Sequence, residues 1–366
     1  MLIEEEKLTR AVREILLKAG ATEEEAQIVA TELVTADMMG VNSHGVLRVP
    51  QYLGEIDQGL VVPKANIRVV KETPATAIVD GDFGFGQVVA QKMVDVVCEK
   101  AQQTGIACAL SVNTRHIGRV GSFTEQIAKR NLLGFATVGV YGTGPMAPWG
   151  AKESRLSTNP ISWAAPRADG EPMFMDGATT VVAEGKLRAY ILQGKDIPLG
   201  WVKDANGNDT TNPRDLYGPP RGTIYPLGGK VGGAKGSGLA IMANMFSIAL
   251  CNDEYWTEFQ KGGQPRCNNS VFLMAVDPAF FCGREAYEKQ VAAHCAYIKS
   301  AQPAEGFNEV LLPGEFEQRR LAKSRAEGCE LPEDTWENLI ALGQRYECDW
   351  CKDMEKVDGL KNSVQF

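Results

Sequence analysis

With 366 residues, 44 % hydrophobic and 23 % charged, the chain is long and apolar enough to bury a large core in about two domains and lies outside the composition of disordered chains. A net charge of -8 and a pI near 5.2 exclude a global positive field that would gather nucleic acid or an anionic membrane. The start Met1-Leu2-Ile3-Glu4-Glu5-Glu6 is acidic where a secretory signal is basic and then apolar, and no run of about eighteen apolar residues occurs. The expectation is therefore a cytoplasmic protein with no nucleic-acid or membrane partner.

In chain order, Leu8, Val12, Ile15 and Leu16 recur at helical spacing and stop at Gly20. Thr22 with Glu25 then predicts a capping box opening a second helix to about Gly40. From residue 61 the pattern changes to β-rich runs at Ile67-Val70, Thr76-Val79, Ile106-Val112, Gly134-Val140 and Ile161-Ala164. Helical stretches at Gly86-Gln103 and Ser122-Arg130 separate them, which predicts an α/β domain with a mixed sheet. Gly194 to Gly238 reads as a loop, followed by an apolar helix over Leu239-Leu250 and a strand at Ser270-Val276. Helices at Arg284-Ser300, Glu315-Glu327 and Pro332-Tyr346 close the chain.

Nine cysteines, an odd number scattered through the chain, do not form a disulfide framework and read as free thiols. The pair Cys348-Asp349-Trp350-Cys351 lacks a partner at zinc spacing, and no histidine or Cys/His pair has ligand spacing, so no metal site is expected.

Only three histidines are present, and two lie in polar, glycine-flanked turns. An ordinary imidazole titrates near ~6.5 and can take and return the proton that alcohol-ketone interconversion requires. In Asn42-Ser43-His44-Gly45-Val46-Leu47-Arg48, Ser43 can orient the ring and Arg48 can grip a carboxylate while the imidazole addresses the neighbouring oxygen; the bland reading is a helix cap with a solvated arginine. His116, in Arg115-His116-Ile117-Gly118-Arg119, follows a strand and opens a helix, a place suited to an anion or to a satisfied loop histidine. His294 falls on a helical face and reads as structural.

Gly81-Asp82-Phe83-Gly84-Phe85-Gly86 lacks the G-x-G-x-x-G spacing, so no Rossmann fingerprint exists. Gly228-Gly238 resembles a phosphate loop, but Ala234 separates Gly233 from Lys235 and Gly236 follows the lysine, which breaks the Walker pattern. What remains is a glycine backbone with lysines ahead of an apolar helix, suited to a pyrophosphate, or a plain flexible loop. Asp176, before a small-residue turn, can accept hydrogen bonds or cap a helix.

Taken in order, Ala36 through Arg48 with Tyr52, His116-Ile117-Gly118, Pro148-Trp149-Gly150, Thr158-Asn159-Pro160, Asp176 with Thr179-Thr180, Gly185-Lys186, Gly232-Gly236 and Pro313-Gly314-Glu315 resemble the malate/L-lactate dehydrogenase-like family, which includes ureidoglycolate, sulfolactate and diketogulonate dehydrogenases or reductases. The resemblance spans nearly the whole chain. It implies a non-Rossmann, mixed-sheet domain over residues 61-309 that binds NAD or NADP, packed on a helical part built from residues 1-60 and 310-366, usually as a homodimer. It also implies hydride exchange between the nicotinamide and C2 of a small 2-hydroxy or 2-oxo acid. His44 would handle the proton with Ser43 as support, and His116 would line the substrate and nicotinamide region. Arg48 and Thr158 would bind the acid, and Asp176, Gly177, Ala178, Lys235, Gly236, Pro313, Gly314 and Glu315 the cofactor. Lys186 stands where relatives that reduce cyclic imino acids carry an acidic partner, which favours an alcohol/ketone substrate. A dinucleotide-binding regulator without catalysis is the alternative, and an NTPase is disfavoured by the broken Walker pattern.

Overall fold

The computed structural model describes residues 1-366 apart from 143, 169, 252-254, 263-265, 267, 268, 358 and 362-366, and apart from the side chains of 189, 192 and 256; Cys267 thus lies outside the described residues. A short strand β1 (Leu2–Ile3) precedes α1 (Glu5–Lys18) and α2 (Glu23–Met38), and α3 (Val49–Asp57) follows. The expected capping box is present: Glu25 N donates to Thr22 Oγ1 at 3.1 Å and Thr22 N to Glu25 Oε2 at 2.8 Å. Leu8, Val12, Ile15 and Leu16 form the buried stripe of α1.

The central sheet is built from β2 (Arg68–Glu72), β3 (Thr76–Asp80), β4 (Ile106–Val112), β5 (Leu133–Val140), β6 (Ile161–Ala165), β7 (Met173–Gly177) and, late in the chain, Asn269–Val276. Between these strands run α4 (Gly86–Thr104), α5 (Val120–Lys129) and α6 (Glu184–Leu192). The two-residue strands β8 (Val202–Lys203), β9 (Asp209–Thr210) and β10 (Thr223–Ile224) form a separate small sheet. After them come α7 (Gly229–Asn244), α8 (Tyr255–Gln260) and the last sheet strand, β11 (Asn269–Val276). The strand order is β2-β3-β4-β11-β5-β6-β7. β3 and β4 run parallel and the other pairings are antiparallel, so the sheet is mixed, without the all-parallel order of a Rossmann unit. Met93 and Val97 of α4 and Phe123 and Ile127 of α5 pack on Ala109, Val271 and Leu273.

α9 (Arg284–Lys299), α10 (Glu315–Glu327), β12 (Cys329–Glu330) and α11 (Glu333–Arg345) complete the chain. β12 pairs antiparallel with β1, and Trp336, Leu339 and Leu342 share one buried cluster with Leu8, Ile15 and Leu33. Both chain ends thereby build one helical core. Cys348 and Cys351 are buried free thiols within it. Burial pushes the Cys348 thiol up to about 12, a protonated state that is a poor nucleophile and a poor ligand.

Two expectations are corrected. The glycine cluster is not a loop: α7 begins at Gly229, so Lys235 and Gly236 stand on a helix. Glycine disfavours helix, but here it is demanded by close approach. A Cβ on Gly236 would lie 2.3 Å from the Leu227 carbonyl oxygen, and one on Gly233 would lie 2.6 Å from the Trp149 ring. The interval from Gly194 also contains β8, β9 and β10 rather than loop alone. β7 and α6 carry no clear apolar period in the sequence; Asp176 lies near the end of β7, opposite Ser162, just ahead of the small-residue turn.

Candidate active site

The His44 turn hangs from Asp37 in the last turn of α2. Asp37 accepts Val46 N at 2.7 Å and Asn42 Nδ2 at 3.1 Å, which ties down a pair of 3-10 turns, Asn42–His44 and Val46–Arg48. Gly45 is required because a Cβ there would lie 2.1 Å from Asp37 Oδ1. Ser43 Oγ and His44 Nδ1 are 2.9 Å apart, and Arg48 folds back so that its Nε donates to the Ser43 carbonyl at 2.7 Å. The guanidinium and the imidazole therefore belong to one compact turn, and Ser43 supports both.

His116 enters from the β4-α5 connection. Its ring stacks on that of His44, with centroids 5.5 Å apart and planes inclined by 18°. Tyr52 Oη lies 2.8 Å from His116 Nδ1 and accepts Gln87 Nε2 at 2.7 Å. A hydroxyl that accepts from the amide has its own proton to give, so this network assigns His116 Nδ1 as acceptor and leaves the proton of the neutral ring on Nε2. Gly86, at the start of α4, allows the turn to sit so close: a Cβ there would lie 2.3 Å from the His116 carbonyl oxygen.

Both imidazoles are half-buried and stand among cations. Burial, then Arg48 and Arg119, pulls His44 down to about 3. Burial, then Arg48, His44 and Arg115, pulls His116 well below its ordinary value. The expectation of imidazoles titrating near ~6.5 is thus corrected: both rings are neutral at neutral pH, because burial disfavours the charged form and a second positive charge beside Arg48 adds to the cost. Asp37 moves the other way, pushed up to about 7 by burial against its hydrogen bonds to Val46 and Asn42.

α6 reaches the same pocket. A Cβ on Gly185 would lie 2.9 Å from Ser43 Cβ, so the glycine lets this helix close on the His44 turn. Arg188, one turn later, pairs with Glu184 at 2.9 Å, and both act electrostatically on Arg48. The Lys186 ammonium turns instead to the Trp201 ring, 5.1 Å from its centroid.

The residues expected to hold cofactor form a second strip. Thr179 N donates to the Thr158 carbonyl at 2.8 Å and Leu227 N to the Thr179 carbonyl at 2.8 Å, and Gly236 packs on Leu227. Thr158, the Gly177-Ala178 end of β7 and α7 are thereby laced together. Asp176 Oδ2 accepts Gly121 N at 2.7 Å at the start of α5, and the buried Arg119, paired with Glu125, acts on both Asp176 and His44. This links the strip to the histidines. The Pro313 carbonyl accepts Phe174 N at 3.2 Å, which sets the Pro313-Gly314-Glu315 turn on β7. The Glu315 carboxylate, however, is engaged by Lys299 at 2.7 Å and Leu312 N at 3.0 Å, so it organises the start of α10. A dinucleotide fits the strip on one observation: around Gly232, in the first turn of α7, a Cβ would meet nothing within 4 Å. Bare backbone at a helix start, with Lys235 exposed nearby, suits a pyrophosphate.

Sequence reading missed the supporting groups. Asp37 and Tyr52 lie inside the quoted signature, so their presence was visible and only their roles were hidden. Gln87, Glu55 and Arg188 gave no local signal, and Arg119 was visible only as part of the basic turn around His116. His294 is exposed on α9, its Nδ1 3.0 Å from the Gln290 carbonyl, remote in character from a reactive histidine.

A mixed sheet carrying paired imidazoles beside a guanidinium, with a glycine-lined strip alongside, is the candidate active site. Residues 3–340 match the family model described as malate/L-lactate dehydrogenase, and the chain belongs to that family of dehydrogenases. It is 36 % identical over 342 residues to the L-sulfolactate dehydrogenase of Methanocaldococcus jannaschii, covering 93 % of this chain and 95 % of that one. It is also 36 % identical over 318 residues to a malate dehydrogenase of Pyrococcus horikoshii, covering 86 % of each. The solved structure of the M. jannaschii sulfolactate dehydrogenase superposes with a TM-score of 0.85 at 34 % identity, covering 96 % of this chain and 98 % of that one. No helix among the described residues is long and apolar enough to cross a membrane.

Proposed function

We propose that the protein is an NAD- or NADP-dependent dehydrogenase that interconverts a small 2-hydroxy acid and its 2-oxo acid, of the malate, sulfolactate or lactate kind. The observation that carries this reading is the stacking of His44 on His116 beside Arg48. A nicotinamide dinucleotide bound along Asp176-Ala178, Lys235-Gly236 and Pro313-Glu315 supplies the two-electron redox chemistry. The protein's own groups do the rest. Arg48 takes the carboxylate as a charge-assisted pair, Thr158 lines the pocket, neutral His44 accepts the hydroxyl proton, and Ser43 keeps its ring in place. His116, protonated on Nε2, steadies the same oxygen. A carboxylate on Arg48 offsets the part of the depression that comes from the arginine's charge, burial being the larger part. The second guanidinium, Arg188, favours an acid with a further anionic group.

The same reading places the enzyme in the cytoplasm as a homodimer, with a sheet domain over 61-309 and a helical part from 1-60 and 310-366. Support for a second copy comes from α9, a helix of 16 residues in which only Cys295 is buried, and from exposed Val231, Met242, Met245 and Phe246 on and after α7. An unsupported helix of that length is marginal in water. Light scattering tests the assembly, and a monomer would refute it. The reaction is tested by following reduced nicotinamide, supplied as NADH and as NADPH, against oxaloacetate, pyruvate and 3-sulfopyruvate. Turnover of at least one acid is expected; none with either cofactor leaves the dinucleotide-binding regulator as the reading.

A further inference from the structure

One face of α3 carries three consecutive links between the substrate clamp and the second histidine. Arg48 Nη1 donates to Gln51 Oε1 at 2.8 Å, and Gln51 Nε2 donates to Glu55 Oε1 at 3.0 Å. Glu55 then receives Arg115 through both oxygens, Nη2 to Oε1 at 2.9 Å and Nε to Oε2 at 3.3 Å. Arg115 is the residue before His116, and its Nη1 donates to the Arg266 carbonyl at 2.5 Å. Tyr52, between Gln51 and Glu55 in the chain, holds His116 Nδ1 directly. Gln51 and Glu55 are four residues apart on the helix, the spacing at which side chains meet. Glu55 and Arg115 are both buried. An amide bridging one guanidinium to a buried carboxylate is a directional device, since its oxygen faces the cation and its nitrogen the anion.

We propose that Gln51, Glu55 and Arg115 are positioning residues: the chain from Arg48 through Gln51 and Glu55 to Arg115 sets the Arg48 guanidinium and the His116 turn in register with each other. None of the three is assigned contact with the acid. This inference rests on the reading of Arg48 as carboxylate clamp. A buried ion pair that merely joins α3 to the β4-α5 connection would make stability depend on Glu55 and Arg115, and would leave Gln51 without consequence for catalysis. Positioning makes a different demand. Removing the amide while the ion pair stays intact frees the clamp, so the acid binds in more orientations and fewer of them are productive.

The test is steady-state kinetics on Gln51→Leu, Glu55→Gln and the double variant, with the affinity for oxamate, an unreactive 2-oxo acid analogue, measured alongside. Gln51→Leu should raise KM for the acid and Kd for oxamate about tenfold, the scale of one lost charge-assisted hydrogen bond. It should leave kcat within about twofold, and both Tm and nicotinamide affinity unchanged. Glu55→Gln should raise KM similarly and lower kcat as well, because the His116 turn loses its anchor. Members of one chain are not independent, so the double variant should be no worse in KM than Glu55→Gln alone. Wild-type KM and oxamate affinity in Gln51→Leu, or losses that multiply in the double variant, would overturn the proposal. If burial of an unpaired Arg115 prevents Glu55→Gln from folding, Gln51→Leu still decides, since it keeps the Glu55-Arg115 pair. Failure of the wild type itself to turn over or bind any 2-oxo acid would instead overturn the reading of the pocket.

Discussion

The His44 turn and the α7 strip are both rich in glycine, and they are held by opposite means. Around His44 the glycines clear space for side-chain hydrogen bonds: Asp37 ties the turn, Ser43 the ring and the Ser43 carbonyl the guanidinium. Along α7 few side chains intervene, and Gly233 and Gly236 let helix backbone lie directly on Trp149 and Leu227. The substrate side should therefore fail when polar atoms are removed, and the cofactor side when a methyl group is added.

The largest departure expected on the substrate side is Arg48→Ala. It should raise KM for the acid about a hundredfold, the scale of a charge-assisted pair, with nicotinamide affinity unchanged by fluorescence titration; equal loss of both affinities would erase the division. On the cofactor side, Gly236→Ala adds one carbon where none fits. It should weaken nicotinamide binding about tenfold and cost about 1-3 kcal/mol of stability in denaturant unfolding, and a silent substitution would show that α7 yields at little cost. The smallest effect is one of pH. His44 is lowered to about 3, and a base works when deprotonated. The acid limb of kcat/KM for hydroxy-acid oxidation should therefore lie well below the ordinary imidazole range. A limb near ~6.5 would mean that the pocket does not depress the ring.

How much of this was legible follows the same division. His44, Ser43 and Arg48 lie within six residues, so their chemistry could be read in one glance along the chain, and the helical hairpin before them announced itself through Thr22 and Glu25. The roles of Gln87 and Glu55 depend on partners across the fold, Tyr52 and Arg115, with which they share no local pattern. The depressed imidazoles were illegible for a related reason: they result first from burial in the folded chain and then from Arg48, with smaller contributions from Arg119 at His44 and Arg115 at His116. In the glycine cluster, tertiary approach to Leu227 and Trp149 overrode the propensity that suggested a loop. Lys235 and Gly236 were named before their setting was visible, and the setting is a helix. Glu315 was expected at the cofactor, and its carboxylate serves Lys299 and Leu312.

The claim on which everything turns is that His44 moves the proton while other groups hold the ligands. His44→Gln, which keeps a polar side chain near Ser43 and removes the titrating ring, separates the two when turnover and binding are measured on one preparation. Proton handling by His44 predicts turnover lowered by about two to four orders of magnitude, with reduced nicotinamide and oxamate still bound near wild-type affinity. Turnover within a fewfold of wild type would contradict it.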